Sequence, residues 1–383
     1  MATRIDFTAA RPLDRNGLLR VVITAACAGL IAWFVAGRPT AHADFAMLWT
    51  ALNQGNPYDQ EALRETLNWG GARYPVAFAH PPSSLPILGI FALFPYRTAI
   101  TAWGAVSGAA LGLTSKSKWT PFLLLVPPVL WALPGGQTSV LLGSLLFGAL
   151  LLLPKRPIAS GVVLGLALAM KPQLSIILPL AYLVDRRWTP LIAAAATFAA
   201  LTALSAIVFG PERWVDWARL LPSFIDLHEN HPILRRNEIA FGLPEWLRAV
   251  ALVCGVWLTA RALRKNDPVE AFVVAVGSAL IVSVHAMGYE FAMLAPVYIA
   301  LVQRPGAVGL AAAAFILTPV FIWIYPDSLT YMPRLIAVFL LMACVTLGRL
   351  PVRRESSQAQ SDGLSLFRPR RWALLLGGGK AAS

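Results

Sequence analysis

Residues 18–36 read "LLRVVITAACAGLIAWFVA". Crossing the hydrocarbon core of a bilayer takes about 20 predominantly apolar residues, and this run is nearly that long. Arg4, Arg11, Arg15 and Arg20 crowd its N-terminal side. The run is nearly long enough to span and no clear small-residue cleavage site closes it, so it reads as an uncleaved first membrane helix and not as a signal peptide. The rest of the chain is built of the same material. The 383 residues are 57% hydrophobic and only 13% charged, where a soluble domain carries about 25% charge. Size rules for soluble domains therefore do not set the domain count.

Apolar runs recur at 98–114, 119–133, 138–153, 158–170, 173–184, 188–209, 246–264, 270–287, 289–303, 306–325 and 331–348. Backbone polar groups have no water to bond in lipid, so these runs are expected to be helices. The fold class is all-α: a polytopic membrane protein of about 12 (11–13) transmembrane helices. The runs at 158–170 and 173–184 are short for upright crossings and suit a re-entrant pair around Lys171-Pro172. The stretch "SSLPILGIFALFPY" (83–96) reads as a short re-entrant or interfacial helix. A full crossing that turns at Arg97 is the alternative.

The basic clusters fix an expected orientation. Under alternating crossings, Lys116/Lys118, Lys155/Arg156, Arg186/Arg187, Arg261/Arg264/Lys265, Arg304 and the tail from Arg349 to Lys380 share one side with the N-terminus. That side collects 21 of the 32 Lys and Arg residues and 7 of the 19 acids. Cytoplasmic loops carry such an excess. This accounts for the formal charge of +13 without nucleic acid. The expected organisation is a cytoplasmic tail 1–17, a transmembrane domain 18–348 and a basic cytoplasmic tail 349–383. The protein would lie in the cell inner (plasma) membrane, with outer loops 37–82 and 210–245. Cys27, Cys254 and Cys344 all sit in apolar runs and read as small hydrophobes.

Polar residues of varied type gather on the outer side. In "HADFAMLWTALNQGNPYD" (42–59), Phe45, Leu48, Trp49 and Leu52 fall at helical spacing, so an amphipathic helix can lie on the membrane. Asp44 opens that helix; an N-cap and a chemical role both fit it. Asp59 can cap the next helix, with Glu61 and Glu65 on a solvated face. "RYPVAFAHPP" (73–82) brings Tyr74 and His80 to the point of membrane re-entry. Gln137 lies on the turn "PGGQTS". Lys171 sits between two apolar halves, where an ammonium either snorkels or meets an anion. "SVHAMGYEFAML" places His285, Tyr289 and Glu290 at the outer end of a span, His285 and Tyr289 one helical turn apart if the helix continues. Asn237 and Glu238 precede another span. No P-loop, GxSxG, HExxH or GxGxxG occurs in a suitable setting. No DxD pair or metal-ligand spacing is present, so neither a cofactor nor a metal is expected.

Taken in order, "DFAMLWTALNQGNPYD", "RYPVAFAHPP", "GGQTSVLLGSLL", "GLALAMKPQLSIILPL" and "SVHAMGYEFAMLAP" resemble glycosyltransferase family 87, over about residues 20 to 345. These are membrane glycosyltransferases of GT-C type that depend on polyprenol-phosphate sugars. The resemblance implies a GT-C-type helical bundle with amphipathic helices in its first outer loop. It implies a hexosyltransferase moving a sugar, often mannose, from a polyprenyl-phosphate donor to a lipid-linked or envelope glycan acceptor on the outer face. The family's base, the acid of the first outer loop, falls on Asp44. The lysine before proline falls on Lys171 and the late His/Tyr cluster on His285/Tyr289. Glu290 stands where members often have Asp, and "YPVAFAHPP" is longer than the usual Tyr-Pro-Pro. His80, Tyr74, Gln137, Asn237 and Glu290 complete the expected substrate-binding set, with membrane lipid as surroundings. Two other readings stay open: a transporter or flippase of lipid-linked glycans, and a non-catalytic envelope-assembly protein. The transporter fits less well, since no internal repeat is visible and the polar residues gather on one face.

Overall fold

The computed structural model of the chain describes residues 14–36, 43–67, 78–230, 238–240, 242–283, 285–303, 306, 308–309, 311–313 and 331–347. The helices, in chain order, are α1 (Arg15–Ala36), α2 (Ala43–Asn53), α3 (Gln60–Leu67), α4 (Leu85–Ala92), α5 (Tyr96–Ser115), α6 (Pro127–Ala132), α7 (Ser139–Leu152) and α8 (Pro157–Met170). They continue with α9 (Pro172–Ser175), α10 (Ile177–Val184), α11 (Trp188–Phe209), α12 (Glu212–Asn230), α13 (Glu245–Arg264), α14 (Pro268–Val282), α15 (Tyr298–Val302) and α16 (Tyr331–Leu347). Tighter 3₁₀ turns span Pro82–Ser84, Thr120–Leu125 and Gly288–Val297. Among the described residues the regular elements are all helical, and the only extended pairing is an isolated antiparallel bridge between Glu238 and Met287.

Among the described residues, three helices are long and apolar enough to cross a membrane: Arg15–Phe34, Trp188–Phe209 and Glu245–Arg264. The pair Pro82–Ala92 and Tyr96–Ser115 passes as a fourth when joined, but it is bent by 117°. The sharp turn falls between residues 92 and 96, and both the re-entrant helix and the crossing that turns at Arg97 accommodate it. Shorter apolar helices cover 139–152, 157–170, 268–282, 288–302 and 336–346. Among the described residues, some of the sequence's apolar runs thus appear as full-length helices and others as broken or abbreviated ones. Prolines explain several breaks, because a proline removes a backbone donor and clashes with the preceding turn. Val126-Pro127-Pro128 divides the run 119–133 into a 3₁₀ stretch and α6. Pro172 separates α8 from α9. Most of the run 306–325 lies outside the described residues.

α1 and α5 pack side by side because α5 offers Gly104, Gly108 and Gly112 on one face. A Cβ on Gly108 would lie 2.6 Å from the Ala28 Cβ and the Thr24 carbonyl oxygen. Small residues four apart let two backbones approach this closely. α14 is buried on all sides, Val269 to Ile281 without interruption, as a helix apolar all round must be. Asp267 caps its start by accepting the Glu270 N–H at 3.0 Å, with Pro268 in the first turn. α11 shows the opposite surface: Ile192 is 65% and Ile207 81% exposed. So much exposed apolar area is compatible with a hydrocarbon environment and not with water.

The loops assigned to the inner side meet one another. Arg264 Nε lies 2.8 Å from Asp185 Oδ1, and Arg187 Nε 2.8 Å from Asp185 Oδ2. Arg261 reaches the fully buried Glu270 at 3.2 Å. The opposite set of loops builds the site.

Candidate functional site

A cavity of about 780 Å³ opens where the loops assigned to the outer side converge. Asp44, His80, Gln137, Lys171, His285 and Tyr289 all line it. These residues come from five separate stretches of sequence, and each is held by local structure.

Asp44 sits in the first turn of α2. The Phe45 N–H donates to the Gly135 carbonyl at 3.1 Å, which docks the helix start on the turn "PGGQTS". Gly136 has φ +65°, and a Cβ there would overlap the Phe45 side chain. Only glycine meets both demands. The same turn presents Gln137, whose Nε2 donates to Asp44 Oδ2. The acid that opens α2, whose Phe45 and Leu48 are buried in the protein core and not laid on the membrane as expected, is thus held from a residue 93 positions away. Its neighbour in the next helix behaves as the sequence suggests: Asp59 Oδ1 accepts the Ala62 N–H at 3.0 Å. Burial pushes the Asp44 carboxyl up to about 6. Lys171 opposes the rise, Glu290 adds to it and the Gln137 amide opposes it.

Lys171 occupies the break between α8 and α9, with φ −146° and ψ 84°. Its Nζ lies 2.5 Å from Glu290 Oε1 and 6.0 Å from the centre of the Tyr289 ring. The other Glu290 oxygen accepts from Ser139 Oγ at 2.5 Å. Glu290 therefore lies behind the cavity wall with both oxygens engaged, as the counter-ion of Lys171. Breaking such a buried pair by removing one partner leaves an uncompensated charge.

α14 ends at Val282, so His285 and Tyr289 do not share a helix face; a turn carries them to the cavity instead. His285 Nδ1 lies 3.4 Å from Glu238 Oε1, and its ring meets Phe224 edge-on with centroids 5.1 Å apart. The Ile239 N–H donates to the Ala286 carbonyl at 2.7 Å, knitting the two loops together. His80 packs on Phe78, and its carbonyl accepts from the Tyr58 hydroxyl at 2.8 Å. Burial, reinforced by Lys171, drops the His80 imidazole to about 3. The same two causes hold His285, in the turn beyond the helix, below its usual range. Both rings are thus neutral near pH 7, and Lys171 and Arg248 bring positive charge to the lining. Tyr74 and Asn237 lie outside the described residues.

Three contributors escaped the sequence. Trp217, Leu221, Phe224 and Ile225 of α12 form an apolar wall; their three-and-four spacing in "RWVDWARLLPSFIDLHEN" was the available signal. Arg248 lines the cavity from the first turns of α13, an arginine inside an apolar run being the clue. Ser139, on the Glu290 oxygen, carried no signal. Among the described residues no group of three His, Cys, Asp or Glu side chains is arranged to hold a metal ion.

The fold and site define a helical membrane protein with a polar cavity, walled on one side by apolar residues. The model of glycosyltransferase family 87 matches residues 78–286, more than half of the chain, and the chain belongs to that family. The match takes in His80, Gln137, Lys171 and His285, while Asp44 and Glu290 fall outside it. No curated protein and no solved structure matches the chain.

Proposed function

We propose that the protein is an integral-membrane hexosyltransferase that takes a sugar, mannose in the first instance, from a polyprenyl-phosphate donor. The acceptor is a lipid-linked or envelope glycan on the outer face of the inner membrane. In this reading about twelve crossings place the tails 1–17 and 349–383 on the cytoplasmic side of the 18–348 domain. The observation that carries it is one cavity lined by both the Asp44 carboxylate and the Lys171 ammonium, beside the apolar wall of α12.

The chemistry follows from these groups. The acceptor hydroxyl gives its proton to Asp44 while its oxygen bonds the anomeric carbon. The bond from that carbon to the phosphate oxygen breaks, and the electron pair stays on phosphate. Attack from the face opposite the leaving group inverts the anomeric centre. The phosphate gains one negative charge as it leaves, and a cation already in place stabilises that charge. Lys171 is that cation, and the imidazoles of His80 and His285 shape the pocket beside it, the His285 Nδ1 facing Glu238. Gln137 and Tyr289 border the reacting atoms, and Tyr74 and Asn237 complete the substrate-binding set. Glu290 acts through Lys171. A carboxylate poised near 6 is half-way between a strong acid and an effective base, as proton transfer near neutrality requires.

The test is sugar transfer by the purified protein in nanodiscs, with labelled polyprenyl-phosphate-mannose and a membrane lipid extract. Transfer that requires Asp44 and Lys171 supports the reading. Transfer that survives loss of both overturns it.

A further inference from the structure

Arg248 lines the cavity and by position resembles a phosphate ligand. Its hydrogen bonds say otherwise, because each guanidinium nitrogen donates to backbone. Nη1 reaches the Ser283 carbonyl at 2.6 Å, with the Ile281 and Val282 carbonyls at 3.4 Å. Nη2 reaches the Ala240 carbonyl at 2.9 Å, and Nε the Leu243 carbonyl at 3.3 Å. The acceptors fall into two groups. Ile281, Val282 and Ser283 are the C-terminal carbonyls of α14, orphaned by the helix end and carrying the negative pole of its dipole. Ala240 and Leu243 belong to the loop that leads into α13.

Each group adjoins a cavity residue. Ser283 lies two residues before His285, and its hydroxyl donates to the His285 carbonyl at 2.8 Å. Ala240 lies two residues after Glu238, the carboxylate beside the His285 ring. One planar cation therefore ties together the two strands of chain that carry the His285–Glu238 pair. We propose that Arg248 is a positioning residue that assembles this pair, acting on sugar transfer through His285 and not by contact with the donor phosphate. The proposal rests on the transferase reading above. A lysine cannot replace the fork, because one ammonium cannot reach both groups of carbonyls at once.

The test uses the full chain in nanodiscs. Hydrogen–deuterium exchange is compared for wild type, Arg248→Lys and Arg248→Met, followed by transfer kinetics. Arg248→Lys is expected to speed exchange in 238–243 and 283–287 together, leaving α1 and α5 at wild-type protection. Unchanged protection in either segment overturns the proposal without reference to any substrate. In kinetics, kcat is expected to fall on the order of 100-fold in Arg248→Met, the effect of a misplaced group. Arg248→Lys is expected to recover part of that loss, and the KM for donor to move less than about twofold. A rise in donor KM with kcat intact would mean a phosphate ligand and overturn the proposal. In a His285→Gln background, Arg248→Lys is expected to cost nothing further, because residues acting as one unit are not additive. Multiplicative losses, or a fully active His285→Gln, overturn it. Asp44→Asn is run alongside. If that variant transfers sugar, the base assignment falls; if it is dead while the losses multiply, only the role of Arg248 falls.

Discussion

Replacing Glu290 by Gln removes one charge and keeps the shape of the side chain. Two consequences follow from the geometry, and they carry opposite signs for the enzyme. Lys171 loses the carboxylate 2.5 Å away in a pair whose side chains are 12% and 3% exposed. Breaking a pair this well buried costs roughly 3–5 kcal/mol, so the variant should melt earlier. Asp44, in contrast, becomes a better carboxylate. Burial is the main cause that lifts it to about 6, and Glu290 adds to the rise. A base works in its deprotonated form, so kcat/KM should be full above about pH 6 and fall about tenfold per pH unit below it. Without Glu290 that acid limb should move to lower pH, and at pH 5 the variant should retain a larger share of its plateau than wild type does. The assay is initial-rate transfer from pH 4.5 to 8 in nanodiscs, each variant normalised to its own plateau. An acid limb that stays in place or moves up in Glu290→Gln would refute the electrostatic link between the two carboxyls.

Two further outcomes test how the site is built. Gly136→Ala should lose both stability and transfer, because φ +65° and the Phe45 contact exclude a Cβ. The strain alone is roughly 1–2 kcal/mol, and a lowered melting temperature with reduced activity would show it. Trp217→Ala should raise the KM for the lipid donor several-fold with kcat nearly unchanged, since it removes part of the apolar wall of the cavity; a pure kcat loss would place Trp217 at the chemistry instead.

Much of this was legible in the sequence, and the reasons are specific. Residues 18–36 and 188–209 announce membrane helices by length and hydropathy alone, and both appear as single helices. The run 119–133 carries the same hydropathy, but its prolines break the hydrogen-bond ladder, so composition overstated it. The polar residues of the outer loops were legible as a set because each interrupts an apolar context. Their roles were less so. Glu290 reads as a ligand in one dimension, and becomes a counter-ion once Lys171 and Ser139 close on it. Arg248 hid inside a span, since its acceptors are backbone carbonyls of the loop just before it and of the distant end of α14, which have no sequence signature. The shared helical face of His285 and Tyr289 failed because α14 stops at Val282, three residues before His285.

The central claim is that Asp44 takes the acceptor proton, and the direct test is Asp44→Asn. Asparagine keeps the size and can still hydrogen-bond to Gln137, but has no basicity. Purified wild type and variant are compared in nanodiscs for transfer from labelled polyprenyl-phosphate-mannose, and for donor binding. The account expects transfer to fall by about 10²–10⁴-fold, the contribution of a positioned general base, with donor binding close to wild type. Transfer by the folded variant at the wild-type rate would contradict it.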